Sequence, residues 1–374
     1  MRSTCVFMAL SLSIAGMAFA QNGPRAQSAG AVFVMNNGAA GNEILSYSRA
    51  SDGTLQELGR FRTGGRGSGG LTDPLGSQGS LTLSSDHSLL FAVNSGSGDI
   101  SVFRVLGPFL SLVDRVPSGG SAPVAIAQNG NLLYVLNAGG SGSVTGFNLD
   151  RFGHVDPIPN SVRFLSGNSA GGSSLALSPD SKFLIVTERI SNNFDIFAIQ
   201  QDGTLAAPVV KPSSLPGLFA VRFAPGGAAI AVETGPAGGM NASTISSFTV
   251  QDGGTLTPVT ATLPTMGAAT CWSVITPDGQ FVYTSNAGTA TISGFSIGSS
   301  GALTALDGTV VGMNPSGAAN LDIAVTADSR FLYTLNSGAG TVGAFAIQDN
   351  GSLMPLAAAG GITAAAGFNG IAAF

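Results

Sequence analysis

Four ionisable side chains near the middle of the chain have residue types that acid–base chemistry uses. Glu188 and Arg189 are adjacent, and Arg222 and Glu233 follow further along. A carboxylate in a partly dry pocket can act as a general base, and an arginine can hold an anion or stabilise a developing oxyanion. We therefore take Glu188 and Glu233 as candidate catalytic residues and Arg189 and Arg222 as candidate ligand-binding residues. The alternative is that they pair as a structural ion bridge.

The two glutamates occupy a position that recurs along the sequence. An apolar strand, a polar turn and a second apolar strand ending in Asn or Glu follow one another, as in LTLSSDHSLLFAVN (81–94) and LALSPDSKFLIVTE (175–188). A Gly-rich turn, a third strand and often an Asp-Gly hairpin signal come next, before a fourth strand. We call the residues at the second-strand ends the ring residues: Asn36, Asn94, Asn137, Glu188, Glu233, Asn286 and Asn336.

The repeat predicts an all-β fold. Seven units of about 50 residues, each of four antiparallel strands, are typical of a seven-bladed β-propeller. The first unit, which starts at Ala31, lacks an inner strand, and the segment Phe368–Phe374 can supply it. We therefore expect the C-terminal strand to complete blade one and close the ring, which removes exposed sheet edges. The propeller domain is predicted to span residues 31–374.

A propeller has two faces, and the repeat assigns side chains to each of them. Turns between strands one and two, and between strands three and four, lie on one face, the turn face. The ring residues lie on the other, the ring face, where we expect the ligand. Asn94, Asn137, Asn286 and Asn336 are therefore candidate ligand-binding residues, although Asn also caps turns with its own side chain. Trp272, beside the channel mouth, could stack on a sugar or lactone ring or could be a packing residue.

Two residues differ from the pattern in ways that bear on chemistry. Arg222 occupies a column that otherwise holds small residues: Thr82, Ala125, Ala176, Val274 and Ala324. His87 and His154 are placed on the turn face, so a Ser-His-Asp triad on the ring face has no histidine, and a histidine-based metal site has no partners. We expect no metal and no cofactor.

The loop at residues 63–79 contains a G-x-G-x-x-G match at Gly65–Gly70. No helix follows it and no βαβ unit surrounds it, so a nucleotide site is not indicated. We interpret the segment as a mobile loop on the ring face that could act as a flap.

The N-terminus and the composition indicate where the protein acts and limit its possible partners. Residues 1–20 are typical of a signal peptide cleaved near Ala20, and 21–30 of a flexible lead-in, so we expect an exported protein, periplasmic or extracellular. Beyond that signal Cys271 is the one cysteine, which leaves no internal disulfide. A net charge of −5 argues against a nucleic-acid partner. We expect no membrane span and a monomer.

Three stretches carry a family resemblance: Ser178–Phe183, Thr276–Tyr283 and Tyr134–Asn137. Their SPDG-type turns and YVxN-type strand ends resemble the lactonase family of propellers, which includes 6-phosphogluconolactonase and 3-carboxymuconate cyclase-type proteins. They are also similar to the YVTN-repeat exported propellers. The resemblance implies metal-independent hydrolysis or cyclisation of small acidic or sugar-derived lactones. The family's His is missing from the inner-strand starts here, which keeps open a non-catalytic propeller that binds a protein or glycan.

Overall fold

The computed structural model describes residues 29–237 and 239–374. Over these residues the chain forms 29 strands, β1 to β29, and no helix, so no described segment is a helix that could cross a bilayer. The predicted signal peptide and residues 21–28 of the predicted lead-in lie outside the described residues.

The strands form seven antiparallel sheets arranged as the blades of a propeller, which confirms the predicted fold. Blade one contains β29 (Ile371–Ala373), β1 (Gly30–Met35), β2 (Glu43–Arg49) and β3 (Leu55–Arg62). Blade two contains β4 (Leu81–Leu83), β5 (Leu89–Asn94), β6 (Asp99–Leu106) and β7 (Phe109–Pro117). Blade three contains β8 (Pro123–Asn129), β9 (Leu132–Asn137), β10 (Ser143–Leu149), and β11 (Val155–Pro157) and β12 (Arg163–Phe164), which both pair with β10.

The remaining four blades repeat the same order from the centre outward. Blade four contains β13 (Gly172–Leu177), β14 (Phe183–Glu188), β15 (Asn193–Ala198) and β16 (Val209–Pro212). Blade five contains β17 (Leu218–Phe223), β18 (Ala229–Glu233), β19 (Thr244–Val250) and β20 (Leu256–Pro264). Blade six contains β21 (Thr270–Ile275), β22 (Phe281–Asn286), β23 (Thr291–Ile297) and β24 (Leu303–Met313). Blade seven contains β25 (Asn320–Val325), β26 (Phe331–Asn336), β27 (Thr341–Ile347) and β28 (Leu353–Pro355).

The C-terminal strand closes the ring as predicted. Strand β29 pairs antiparallel with β1, with Phe33 opposite Ala372. The main chain continues this pairing on both sides, where Met35 N–H donates to Gly370 O and Phe374 N–H donates to Ala31 O. Strand β29 is therefore the inner strand of blade one.

The hairpins between third and fourth strands are held by one repeated side-chain contact. Asp52 Oδ1 accepts hydrogen bonds from both the backbone N–H and the hydroxyl of Thr54, and Asp202 does the same for Thr204. Asn350 makes the equivalent contacts with Ser352. These are Asx turns, in which the side-chain oxygen takes the place of a backbone acceptor.

The turns between first and second strands use an equivalent device in four blades. A Ser or Thr hydroxyl donates to the Asp two residues later, in the pairs Ser84–Asp86, Ser178–Asp180, Thr276–Asp278 and Thr326–Asp328. Blade three differs, because Asn129 pairs directly with Leu132 and the turn is shorter. The blade-three residue equivalent to Arg222 is consequently Ala127 and not Ala125, since Ala127 is opposite Tyr134 as Arg222 is opposite Ile230.

Buried tyrosines of the second strands connect neighbouring blades. The hydroxyl of Tyr134 in blade three donates to Gly203 O in blade four, at 2.7 Å. Tyr283 in blade six reaches Gly351 O in blade seven, and Tyr333 in blade seven reaches Gly53 O in blade one. Each bond satisfies a phenol that is otherwise buried in the core and ties one blade to the next.

Candidate functional site

The inner strands of all seven blades line a central channel with a cavity volume of about 460 Å³. Residues of the turn face, such as Ser85, His87 and Pro179, line one end, so the channel opens there. Gln78, Ser273 and Asp322 line the other end. This volume falls within the range of small-molecule sites.

The ring-face end of the channel is closed by the C-terminal part of the glycine-rich segment. Leu75 to Ser80 are all buried. Ser77 Oγ donates to Val124 O in blade three, Gln78 N–H donates to Ser173 O in blade four, and Trp272 Nε1–H in blade six donates to Ser77 O, each at 2.9 Å. We call residues 75–80 the plug. The plug is packed into the fold rather than free to act as a flap.

The closed end of the channel carries a buried carboxylate, that of Asp322. Its Oδ1 accepts hydrogen bonds from Gln78 Nε2 and from the Ile323 N–H, both at 2.9 Å, and its Oδ2 accepts the Ile371 N–H at 3.3 Å. Burial raises the pKa of Asp322 to about 6, against a lowering by Arg222. The Ser273 hydroxyl is buried nearby and has no hydrogen-bond partner among the described residues.

Arg222 is the second charged group of the channel. It is opposite Ile230 in blade five, and the residues at the same level in the other blades are small or apolar. These neighbours are Thr82, Ala127, Ala176, Val274, Ala324 and Ala372, all lining the channel. One guanidinium nitrogen, Nη1, donates to Val221 O at 3.2 Å and to Ser174 Oγ at 3.4 Å.

Arg222 and Asp322 interact across the channel without forming an ion pair. No guanidinium nitrogen of Arg222 lies within 4.0 Å of a carboxylate oxygen, judged over the described part of the chain. Burial lowers the pKa of Arg222. The two groups are nonetheless close enough that the negative charge of Asp322 acts to raise it. A guanidinium and a carboxylate thus face a shared space that a small polar molecule can enter.

Both histidines lie on the turn face, as the sequence predicted, but this is the face where the channel opens. His87 lines the mouth and stacks on the Phe374 ring, with centroids 6.0 Å apart. Burial lowers its pKa, so it is neutral at pH 7. His154 is exposed on the outer part of the blade, where its Nδ1 lies 3.6 Å from Asp114 Oδ2.

The ring residues are structural junctions in this arrangement. All except Asn36 are fully buried. Asn94 Nδ2 donates to Asp99 and Ser101 of its own blade, while its Oδ1 accepts a hydrogen bond from Thr63 in the linker that arrives from blade one. Asn286 and Asn336 make comparable contacts, and Asn137 bonds to Ser118 O. Their role as ligand-binding residues stays a prediction.

Glu233 takes the place of the asparagine in blade five. Its carboxylate accepts hydrogen bonds from Ser213 at 3.2 Å, Thr244 at 2.9 Å and Ser246 at 3.4 Å. Burial raises its pKa to about 7, although these hydroxyls act to lower it. No arginine or lysine nitrogen lies within 4.0 Å of Glu233 or Glu188 among the described residues, so the structural ion bridge does not form.

Glu188 shares its site in blade four with a second buried carboxyl group, Asp195. Ser166 N–H donates to both, at 2.8 and 2.9 Å, and the hydroxyls of Ser166 and Ser191 donate to Glu188 Oε2. Burial raises the pKa of Glu188, but the hydrogen bonds from Asp195, Ser166 and Ser191 outweigh it and lower the pKa. Burial and the neighbouring Glu188 together raise the pKa of Asp195 to about 8. The pair therefore holds one proton at pH 7.

This pair gives a prediction for stability. The pKa of Asp195 is 3.8 when unperturbed and about 8 in the folded chain, so the folded state binds the proton more tightly. Its contribution to stability is present at low pH and is lost as pH rises toward 8. We expect Asp195→Asn to remove this loss. When the pH is raised from 5 to 8, the free energy of unfolding of the variant should increase by at least about 2 kcal/mol relative to that of the unmodified chain.

Urea unfolding across that pH range measures the difference. The matched control is Asp156→Asn, which changes an exposed carboxyl in blade three. The difference in free energy of unfolding between this control and the unmodified chain should not change with pH. A flat curve for Asp195→Asn as well would show that the two carboxyls do not share a proton.

The two remaining candidate side chains are Arg189, which lies outside the plug, and Trp272, which lies beneath it. Arg189 is exposed on the ring face and its guanidinium packs over Gly76. Trp272 is 1% exposed and packs edge-on against Phe219, with ring centroids 5.1 Å apart, so neither face of the indole is open to a ligand in this arrangement. Arg222 alone of the four central ionisable residues lines the channel. The described residues contain no cluster of three or more His, Cys, Asp or Glu side chains placed to bind a metal.

Asp322 and Gln78 were missed by the sequence-based reasoning. Asp322 had a visible signal, because it is a carboxylate within the otherwise apolar inner-strand stretch Leu321–Val325. The register shift between Asn320 and Ile323 then turns it toward the channel. Gln78 belongs to an aperiodic loop, and nothing in its spacing marks it.

Sequence comparison and structure comparison give different results for this chain. No family model and no curated protein matches its sequence. Among solved structures, a proposed 6-phosphogluconolactonase from Bacteroides uniformis superimposes with a TM-score of 0.69 and 18% identity, over 92% of this chain and 99% of the other.

Two further structures show the same likeness. The Pseudomonas aeruginosa periplasmic gluconolactonase PpgL gives a TM-score of 0.66 at 18% identity, over 91% of this chain and 98% of the other. A protein from Lactobacillus plantarum gives a TM-score of 0.67 at 18% identity, over 91% and 99%. The resemblance to lactonase-type propellers is therefore confirmed at the level of the fold.

Proposed function

We propose that this lactonase-like propeller hydrolyses small lactones inside its central channel, with Asp322 as the general base and Arg222 as the group that stabilises the oxyanion. The observation that carries the proposal is the placement of a carboxylate and a guanidinium, unpaired with each other, at the inner part of a cavity open at one end. The names of two similarly folded proteins, a proposed 6-phosphogluconolactonase and a gluconolactonase, support lactones as the substrate class.

The reaction can be written with these two residues. Asp322 removes a proton from water as the water oxygen attacks the lactone carbonyl carbon. The carbonyl oxygen becomes an oxyanion, which the Arg222 N–H groups stabilise. The ring C–O bond then breaks, and the protonated Asp322 returns its proton to the leaving alkoxide. The products are a hydroxyl and a carboxylic acid on one open chain, so one water is consumed per lactone.

The environment of Asp322 suits a general base near neutral pH. A base is most effective when its pKa lies close to the working pH, and burial raises the pKa of Asp322 to about 6. The carboxylate is thus ionised at pH 7 yet more basic than a surface aspartate. The hydrogen bond from Gln78 Nε2 fixes its orientation.

Turnover of glucono-δ-lactone and a panel of simpler γ- and δ-lactones, followed by pH-stat after subtraction of spontaneous hydrolysis, tests the proposal. We expect Arg222→Gln to lower kcat/KM by about 10²-fold or more, because it removes a charged donor to the oxyanion. The matched control is Arg189→Gln, which changes an arginine on the opposite face and should stay within about threefold of the unmodified protein.

The earlier candidates make the opposite prediction. If Glu188 or Glu233 is the general base, its replacement by Gln slows hydrolysis by about 10²-fold, while Asp322→Asn has little effect. Absence of turnover on every lactone would reject hydrolysis and favour the non-catalytic propeller that binds a glycan or a protein.

We also propose that the protein acts after export. The signal-like residues 1–20 support this, and so does the word periplasmic in the name of the gluconolactonase with the same fold.

A further inference from the structure

We propose that the channel is selective for uncharged lactones and rejects phosphorylated ones. This inference rests on the proposed function, because it concerns the substrate class of the same site. It is carried by the charges along the route a ligand takes, from the rim of the mouth to the closed end.

Among the residues that the structure describes, the channel wall contains no second cation to support a phosphate. Arg222 and Asp322 are the two formally charged side chains that line it, and His87 at the mouth is neutral at pH 7, so their charges cancel. A phosphate group carries nearly two negative charges at pH 7 and is bound in proteins by several basic groups together. One guanidinium, already facing a carboxylate, cannot compensate for a buried dianion.

The small side chains at the level of Arg222 leave space but no polar partners for a phosphate. Four of the six neighbours are alanines, Ala127, Ala176, Ala324 and Ala372, and one is Val274. Thr82 is the single hydroxyl at this level, and it already donates to Gly79 O or Ile126 O. A compact ring with hydroxyl groups can be accommodated there, whereas an ionised substituent would be desolvated without compensation.

The rim of the mouth repels anions before they enter. The turns around it carry four aspartates, Asp86, Asp180, Asp278 and Asp328, against two basic residues, Lys182 and Arg330, so the net charge of these turns is negative. Lys182 lies within 4.0 Å of Asp180, and the charges of Arg49 and Arg330 act on Asp328. Hydrogen bonds from the Ser84 hydroxyl and from Ser88 lower the pKa of Asp86 to about 2, so it stays ionised. Carboxylates at a mouth reduce the rate at which anions enter, and the effect weakens as salt is added.

Paired substrates test the selectivity. We expect kcat/KM for glucono-δ-lactone to exceed that for its 6-phosphate by about 10²-fold or more at low ionic strength. The ratio should narrow at 0.3 M salt. Ala176→Lys places a second cation beside Arg222, and this variant should narrow the ratio at least about tenfold, whereas the matched neutral variant Ala176→Gln should not. Equal or better turnover of the phosphorylated lactone by the unmodified protein would overturn the inference.

A binding measurement separates this inference from the proposed chemistry and needs no variant. Calorimetric titration of the unmodified protein with gluconolactam, an uncharged analogue that resists hydrolysis, should show binding, and titration with 6-phosphogluconate should not. If the lactam binds but no lactone is hydrolysed, the selectivity stands and the hydrolytic function fails. If 6-phosphogluconate binds as well as the lactam, or neither ligand binds, the inference is wrong.

Discussion

Replacement of Asp322 by asparagine is expected to lower kcat for lactone hydrolysis by about 10²-fold or more, with KM changed little. Asparagine keeps the side-chain oxygen that accepts hydrogen bonds from Gln78 and Ile323 and loses only the longer bond from the Ile371 N–H, so the closed end of the channel should largely keep its shape. What it loses is the ability to take a proton from water. The unmodified protein should become more active as pH rises through about 6, because Asp322 must be deprotonated to act as a base. The variant should lack this rise.

The control for this pH profile is Asp73→Asn. Burial also raises the pKa of Asp73 to about 6, so a pH profile alone does not tell the two carboxyls apart. Both hydrogen bonds that Asp73 accepts, from Gly76 N–H and Asn369 Nδ2, reach Oδ1, which asparagine retains. Asparagine also tolerates the positive φ of 45° found at this position. If Asp73→Asn loses the rise of activity with pH and Asp322→Asn keeps it, the titrating group is Asp73, and Asp322 is not the general base.

Removal of residues 368–374 is expected to abolish cooperative folding. Truncation takes away the inner strand of blade one. It also removes the apolar side chains of Phe368 and Ile371, which are 2% and 4% exposed in the closed ring. It also deletes the main-chain bonds of β29 with β1 and the Ser80–Asn369 side-chain contact. Two large apolar side chains and several hydrogen bonds amount to about 5 kcal/mol or more, which is comparable to the whole stability of a typical domain.

Circular dichroism and thermal unfolding of the truncated chain measure this effect. The expected result is loss of a cooperative transition. Addition of a peptide of residues 366–374 should restore part of it, because the strand binds by pairing with an exposed edge. A truncated chain that unfolds within a few degrees of the full chain would show that ring closure is not what stabilises the fold.

The fold could be predicted from sequence because its determinants are local and repeated. Turn residues such as Asp86 and Asp202 hold their hairpins by contacts within two residues, so each one leaves a mark in the sequence. The alignment failed where a turn was shortened. In blade three the hairpin closes directly between Asn129 and Leu132, which shifts the channel-facing residue to Ala127.

The site was only partly predictable, because it depends on contacts between distant segments. Arg222 was found as the one large charged residue in a column of small ones. Asp322 meets Gln78 across 244 positions in sequence, and the plug that carries Gln78 has no periodicity. The same plug closes the ring-face end of the channel, so the channel opens on the turn face. The sequence places the ring residues on the ring face, but a loop that crosses a channel cannot be read from strand spacing.

The tyrosine contacts between blades have a consequence for how the molecule can come apart. Tyr134, Tyr283 and Tyr333 each bond to the following blade, and the last of these crosses from blade seven to blade one. Linear repeat arrays fray from their terminal repeats, which have only one neighbour. A circular array has no terminal repeat, so a single broken blade interface leaves every blade still attached on one side. Two interfaces must fail together before a blade can detach, and for this reason slow, all-or-none opening is favoured over gradual fraying.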